Sequence, residues 1–517
     1  MAILDRIPLT WAVVAGFIVI AAYFVYPYFT TYGHLGNIPA PFPAQFTNFW
    51  LLYVCRRGKR YLAVDEAHKK LGPIVRIQPN HISVADDEAI QIIYGHGNGF
   101  LKSDFYDAFV SIRRGLFNTR DRDEHTRKRK LISSTFAPKA VLQFEPYIHQ
   151  NLEVFVKRWD GLVAQSTGED KAAHIDCLKW FNYVAFDTIG DLAFGAPFGM
   201  LKAGADIAEV RMAVDAPPIY APAVEILNRR GEVSATLGCY PSLKPYAKYL
   251  PDPFYSKGLA AVQNLAGIAI ARVKERLENP PDVNRKDLLT RLQEGRDDKG
   301  EPLDFEELTA EALTQLIAGS DTTSNSSCAL LYHVTRTPGV LQKLQQELDT
   351  AIPDNENVKV PEYETIRNLP YLQAVVNETL RIHSTSGIGL PRIIPPNSDG
   401  VWIRGYYFPP GTVLSVPTYT MHHSREIWGR DADEFRPERW LEDEGQGGLT
   451  ARQKNAFIPF STGPRACVGR NVAEMEMKMI AATWARRYDV FLRQQGMRTR
   501  EGFLRKPLEL EIGLRRR

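Results

Sequence analysis

FSTGPRACVG, Phe460 to Gly469, sets one cysteine among glycine, proline and small residues, two positions after an arginine and at the entrance of a predicted helix. A thiolate that ligates a metal needs an open approach, donors for its excess charge and a local field that lowers its pKa. Gly463 and Pro464 suit a tight turn that exposes backbone N–H groups, and a helix starting near Gly469 turns the positive end of its dipole toward Cys467. Gly469 leaves room for a flat ligand. Arg465 can meet carboxylates at the edge of such a ligand, and Phe460 can pack beside the sulfur and exclude water. Taken alone, a lone cysteine is more often a buried, inert residue, so the rest of the chain must decide.

The helix predicted after this loop, Arg470 to Tyr488, has counterparts at Leu308 to Arg336, Val340 to Ala351 and Tyr371 to His383, each with apolar residues at helical spacing between Pro, Gly or capping residues. Strand patterns are fewer. Ile74 to Asp86 and Gly400 to Val416 read as hairpins, and Leu508 to Leu514 alternates. The predicted fold is mainly α with minor β sheets. There is no repeat of fixed period, and the interruptions at Asn279 to Asn284 and Glu442 to Gly448 read as surface loops, so residues 47–517 form one predicted catalytic domain.

Hydrophobic residues make up 44% of the 517 and charged residues 24%, with a net charge of +3. That balance excludes nucleic acid as the main partner. Cys55, Cys177, Cys239, Cys328 and Cys467 are odd in number and scattered, with no CxxC pair, which argues against a disulfide framework or a zinc knuckle and suits a reducing compartment.

From Ile7 to Tyr28 there is no charged side chain, long enough to cross a bilayer core of roughly 20 apolar residues. Residues 1–36 are therefore predicted to be an N-terminal membrane anchor with a single transmembrane helix at about 7–28. The alternative, a cleaved signal peptide, is opposed by the length of the run and by Tyr and Phe where a cleavage site needs small residues. The cluster Arg56, Arg57, Lys59, Arg60 lies too far from the span to set its orientation, and Asp5 offsets Arg6. Residues 37–46, NIPAPFPAQF, carry Pro39, Pro41 and Pro43 and predict a stiff, extended connector.

Beyond its own chemistry, FSTGPRACVG resembles the haem-binding loop of the haem-thiolate monooxygenases, the cytochrome P-450 superfamily, matching Phe460, Gly463, Arg465, Cys467 and Gly469 at the family spacing. Three more signatures stand in the family's chain order: AGSDTTS (Ala318 to Ser324), ETLR (Glu378 to Arg381) and FRPERW (Phe435 to Trp440). The resemblance implies the P-450 fold and haem b, iron protoporphyrin IX, with Cys467 as axial ligand. It implies that Thr322 hydrogen-bonds bound dioxygen while Asp321 relays protons, and that Glu378, Arg381 and Arg439 form a structural triad. The haem carboxylates would meet His125, Arg129, Arg392 and Arg465. His125 stands where many relatives have Trp, and Trp440 replaces the usual Phe.

Consecutive Gly, Ser, Asp and Thr weaken a helix and compete for its backbone, so a distortion is predicted at 318–324. A polar stripe packed on another helix is the plain alternative there. For the basic run Arg120 to Lys130 the alternatives are a solvated helix face and a dock for an acidic reductase.

Gly95 to Ile112, Leu192 to Leu201, Asn228 to Pro245 and Thr499 to Leu508 resemble the fungal benzoate para-hydroxylases within that superfamily. The resemblance implies hydroxylation of benzoate to 4-hydroxybenzoate. NADPH would supply electrons through a separate NADPH-cytochrome P-450 reductase, with cytochrome b5 as a second candidate donor. The expected localisation is the endoplasmic-reticulum membrane, single-pass, with the free-thiol pattern favouring a cytosolic catalytic domain. Implied pocket walls are Ile317, Ala318, Thr385, Ile388, Leu390, Phe503 and Leu504. Para selectivity needs the carboxylate held far from the iron, for which Arg113, Arg114, Ser111 and Tyr106 are candidates. Alternatives are a hydroxylase of another small aromatic acid or substituted benzoate, a haem-thiolate isomerase or dehydratase, and a haem sensor or carrier without turnover.

Overall fold

A helix of 32 residues, Phe305–Arg336, is the spine of the computed structural model, which describes residues 9–168, 170–281, 285, 287–297, 300–352, 358–441 and 448–517. Asp304 caps the helix by accepting from the Glu307 N–H, and Glu306 and Glu307 fill the first turn while Arg336 stands in the last, each sign opposing the helix dipole. Most of its length is buried, and it packs along the helix Cys177–Phe194. Gly319 permits that approach, since a Cβ there would lie 2.6 Å from Ile189 Cδ1.

The distortion predicted at 318–324 is absent, and the helix runs through it unbroken. Its hydroxyls bond back to carbonyls one turn earlier, Ser320 to Leu316 and Thr322 to Ala318, both at 2.6 Å. Back-bonding of this kind satisfies the side chain without opening the backbone ladder.

The other predicted helices are found at Val340–Ala351, Pro370–Ile382 and Arg470–Arg487. Around them lies the main apolar core, which includes Trp159, Phe181, Leu331 and Trp484, all buried.

A five-stranded sheet forms a second layer. Ile74–Gln78 pairs antiparallel with His81–Val84, as the hairpin pattern predicts. Of the second predicted hairpin only Val401–Ile403 and Tyr406–Phe408 pair with each other. Val413–Ser415 leaves it to run parallel to His81–Val84, because Leu414 and Val416 are buried in the same apolar cluster as Ile82 and Val84. Arg392–Ile393 pairs with Val413–Ser415 on one side and with Leu101–Lys102 on the other, setting Lys102 opposite Arg392. The C-terminal strand begins at Glu511, later than the alternation predicts, and lies between Tyr488–Leu492 and Ala173–Asp176.

The connector is not extended. Ala44 and Thr47 donate to Pro41 and Pro43 carbonyls at 2.7 and 3.1 Å, Arg76 donates to Pro39, and Ile38 and Ala44 are buried, so the segment folds into turns against the body. The first residues of the expected anchor, 1–8, and most of the loops at Asn279–Asn284 and Glu442–Gly448 lie outside the described residues.

Candidate active site

The cysteine loop closes on itself before the last helix. Cys467 N–H donates to Phe460 O at 2.9 Å and Ala466 N–H to Gly463 O at 3.0 Å. Gly463 has φ +72°, and a Cβ there would lie 1.8 Å from the Tyr94 carbonyl oxygen, so no other residue fits that turn. Arg129 donates to Ala466 O at 2.6 Å and Asn471 to Phe136 O at 2.8 Å, tying the loop to its neighbours.

The Cys467 sulfur opens onto a cavity deep inside the fold, whose walls include Phe460, Arg465, Gly469 and, opposite, Ala318 and Thr322. The local field lowers the thiol as the loop chemistry predicts, but burial outweighs it. Burial raises it, against a hydrogen bond from the Gly469 N–H and the charges of Arg129 and Arg470. Desolvation of a thiolate inside the fold outweighs the helix end. A Cβ at Gly469 would meet nothing closer than the Cys467 sulfur and Phe136, both at 3.9 Å, so the glycine holds space open on the cavity side.

Above the loop the structure collects more cations than sequence reading assigned. Arg465 donates to the carbonyls of Thr119 and Arg120, at 2.7 and 3.2 Å. Arg392 donates to Tyr106 Oη at 2.9 Å. Lys102, absent from the sequence assignment, is buried opposite Arg392, donates to the Phe117 carbonyl and lies 4.7 Å from the centroid of the Tyr106 ring. His125 is buried beside them, and burial, then Arg465, Lys102, Arg129 and Arg392, push it down to about 3. Burial and the same arginines hold Lys102 well below its ordinary value.

Among the described residues none of Lys102, Arg129, Arg392 and Arg465 is paired with a carboxylate. Like charges directly across a ladder destabilise it, and uncompensated buried cations are costly. A flat macrocycle bearing two carboxylates satisfies this donor set, with the sulfur on one face and the open edge of Gly469 beside it. Haem therefore fits the residues present.

Beneath the loop, Glu378 accepts two bonds from Arg381 at 2.8 Å, one from Arg439 Nε at 2.9 Å and one from the Arg436 N–H at 2.9 Å. Trp440 Nε1 adds another at 2.8 Å, a donor that Phe would lack. Arg381 goes on to the carbonyls of His422 and Ala432, both at 2.7 Å, and His422 Nε2 accepts from the Ile458 N–H two residues before Phe460. The triad thus reaches the cysteine loop through one imidazole.

Thr322 lines the cavity, whereas Asp321 is buried behind it. Asp321 Oδ1 has no hydrogen-bond partner among the described residues. Burial raises this carboxyl against the charges of Lys506 and Arg230. Thr323, on the next position, donates to Glu476 Oε2 at 2.7 Å, and burial pushes Glu476 up to about 7.

Ile317, Ala318, Thr385, Leu390, Phe503 and Leu504 line the cavity as implied. Ile388 does not. Flanked by Gly387 and Gly389, it turns into the apolar cluster of Val64 and Ile77. Of the carboxylate-anchor candidates, Arg113 is paired with Asp304 at 2.9 Å and Glu307 at 3.5 Å, and Arg114 with Asp107 at 2.7 Å. Tyr106 is engaged by Arg392, while Ser111 lines the cavity with a buried hydroxyl that has no partner among the described residues. The basic run is solvated only in part: Arg122 and Lys130 are exposed, whereas Arg120 pairs with Asp107, Arg127 with Glu124, and the buried Lys128 with Glu307 and Glu311.

Comparison with known proteins matches residues 39–514 to the cytochrome P450 family model. The chain is 61% identical over 506 residues to a protein of Aspergillus niger named Benzoate 4-monooxygenase bphA, covering 97% of this chain and 96% of that one. It is 32% identical to a Cytochrome P450 monooxygenase of Aspergillus terreus, over 90% of this chain and 92% of the relative. A third relative, Cytochrome P450 monooxygenase gsfF of Penicillium aethiopicum, is 31% identical over 92% and 93%.

Proposed function

The chain belongs to the cytochrome P450 family, and from that premise we propose that it hydroxylates benzoate at the para carbon, giving 4-hydroxybenzoate. It is a haem-thiolate monooxygenase. The observation that carries the substrate is the near full-length identity to the benzoate 4-monooxygenase of Aspergillus niger. One oxygen atom of dioxygen enters the ring and the other leaves as water, so each turnover consumes two electrons and two protons.

When bound, haem would supply the activation of dioxygen, held through its iron by the Cys467 sulfur. The residues around it have separate tasks in this reading. Lys102, Arg129, Arg392 and Arg465 would hold the haem carboxylates, and His125 would donate a hydrogen bond to one of them. Phe460 shields the sulfur from water. Ile317, Ala318, Leu390, Phe503 and Leu504 give the apolar walls that hold a benzene ring and exclude water from it.

Thr322 donates its hydroxyl hydrogen to Ala318 O, so its oxygen is free to accept a proton-carrying bond from the cavity side. Asp321, raised by burial, can hold a proton at Oδ1 and pass it toward Thr322. Replacing it as Asp321→Asn is expected to lower kcat about 10²-fold with little change in benzoate affinity. Unchanged turnover would remove Asp321 from the proton path.

Electrons come, in this proposal, from NADPH through NADPH-cytochrome P-450 reductase, with cytochrome b5 as an auxiliary donor. The helix Leu9–Phe29 anchors the protein in the endoplasmic-reticulum membrane with the body in the cytosol. No helix is long and apolar enough among the described residues to cross a membrane. The anchor reading rests instead on the whole uncharged run from Ile7 to Tyr28 and on Trp11, Phe17, Ile18 and Ile20 standing exposed along the helix. Deleting residues 1–36 is expected to move the protein from the microsomal pellet to the supernatant, and a full-length chain found in the supernatant would contradict the anchor.

The function is tested by reconstituting the holoprotein with a flavoprotein reductase, NADPH and benzoate. NADPH-dependent 4-hydroxybenzoate is the expected product. Formation of the 2- or 3-hydroxy isomer, or of no product, overturns the reading.

A further inference from the structure

Among the described residues one cation on the cavity wall belongs neither to the cluster of Lys102, Arg129, Arg392 and Arg465 nor to any ion pair. Arg230, on the helix Ala223–Gly238, is 4% exposed and lines the same cavity as Thr322. Its Nη2 donates to Phe109 O at 2.9 Å, and its guanidinium lies 5.3 Å from the centroid of the Phe109 ring. Its Nε has no hydrogen-bond partner among the described residues. Burial pushes it down to about 10, opposed by the charge of Asp321 and not tied to Lys102, Arg392 or Arg465. Among the described residues no carboxylate bonds this buried guanidinium, and its open donor capacity suits an anion.

Two neighbours give that anion a shape. Ser111, an unpartnered donor on the cavity wall as Ser384 and Ser461 also are, lies two positions from Phe109 and offers a hydroxyl. Phe109, Phe117 and Phe503 form an edge-to-face cluster with centroids 4.9 to 5.8 Å apart, a surface that takes an aromatic ring. All three also line the cavity. A ring seated on that cluster with its acid group toward the guanidinium would share the cavity with Thr322 and the Cys467 sulfur, and para attack requires its far end to be the one nearer the sulfur.

We propose that Arg230, with Ser111, binds the carboxylate of the substrate and so sets both the preference for an aromatic acid and the position hydroxylated. This rests on the benzoate reading and deepens it. A competing role, holding Asp321 ionised, predicts a change in turnover without a change in ligand preference.

The test is optical titration of the ferric holoprotein with benzoate and with benzamide, its uncharged isostere. The wild type is expected to bind benzoate at least about 10-fold more tightly than benzamide. Arg230→Gln should weaken benzoate on the order of 10²-fold and leave benzamide within about threefold, with Arg230→Lys restoring part of the loss. Ser111→Ala should weaken benzoate about 10-fold.

Wild-type protein that binds benzoate, paired with an Arg230→Gln holoprotein of equal benzoate affinity, overturns the anchor and leaves the benzoate reading standing. Wild-type protein that binds benzamide as tightly as benzoate overturns the anchor without any variant. Wild-type protein that binds no benzoate overturns the reading and the anchor together.

Discussion

Glu378→Ala will yield a chain that takes up little or no haem. Five donors converge on this one carboxylate: two from Arg381, one each from Arg439 and Trp440, and the Arg436 N–H. Removing it leaves the buried Arg381 guanidinium without its carboxylate and Arg439 with Asp431 alone, at 3.2 Å, a change that costs about 3–5 kcal/mol, a large fraction of the stability of an ordinary domain. Arg381 would lose the partner that aims it at the carbonyls of His422 and Ala432, and with it the imidazole link to Ile458 and the cysteine loop.

Burial pushes the Glu378 carboxyl up, but Arg381 and Arg439 outweigh it and leave the group below its ordinary value. Its stabilisation is therefore complete above the ordinary carboxylate range and is lost only as pH falls through the depressed value, so assays near neutrality read the whole effect. Haem content per chain is the measurement. A fully loaded Glu378→Ala protein would show that the triad does not support the loop.

Cys467→Ser is expected to abolish hydroxylation to the background of the assay while leaving the fold in place. The change replaces one atom in a loop held by backbone bonds, Cys467 N–H to Phe460 O and Ala466 N–H to Gly463 O, neither of which uses the sulfur. The carboxylate-binding cations are untouched, so haem is expected to be retained in part through them. A serine hydroxyl is a far weaker ligand than a thiolate and does not give the electron donation that favours oxygen–oxygen cleavage. Product formation from benzoate, normalised to bound haem, measures the effect, and wild-type turnover in the serine variant would remove Cys467 from the chemistry.

Local chemistry made much of this legible. Glu378 and Arg381 lie three apart on a helix, so their pairing is written in the spacing, and the turn at Gly463 follows from a glycine beside a proline. The long helix was legible by its period, but not its continuity through Ser320, Asp321 and Thr322, since the choice between breaking the ladder and back-bonding to it depends on surrounding packing.

Residues brought in by distant pairing were not legible. Lys102 meets Arg392 across a two-residue strand whose partner lies almost 300 positions away. Arg230 sits beside Arg229 in the sequence, and only the helix phase buries one and leaves the other half-exposed. The same holds for Arg113 and Arg114, attractive by charge until Asp304, Glu307 and Asp107 neutralise them. Unpaired burial, the signal that marks Arg230, exists only in the folded chain. Trp440 departs from the usual Phe in sequence, and its meaning, an extra bond to Glu378, emerges from geometry alone.

The account depends on the sulfur of Cys467 being bound to a haem iron. The most direct measurement is the absorption spectrum of the reduced carbon monoxide complex of the purified protein, expressed with ample haem precursor. The predicted result is the strongly red-shifted Soret band that thiolate ligation confers. A colourless protein, or a carbonyl complex whose Soret band lies where nitrogen-ligated haem absorbs, would contradict it.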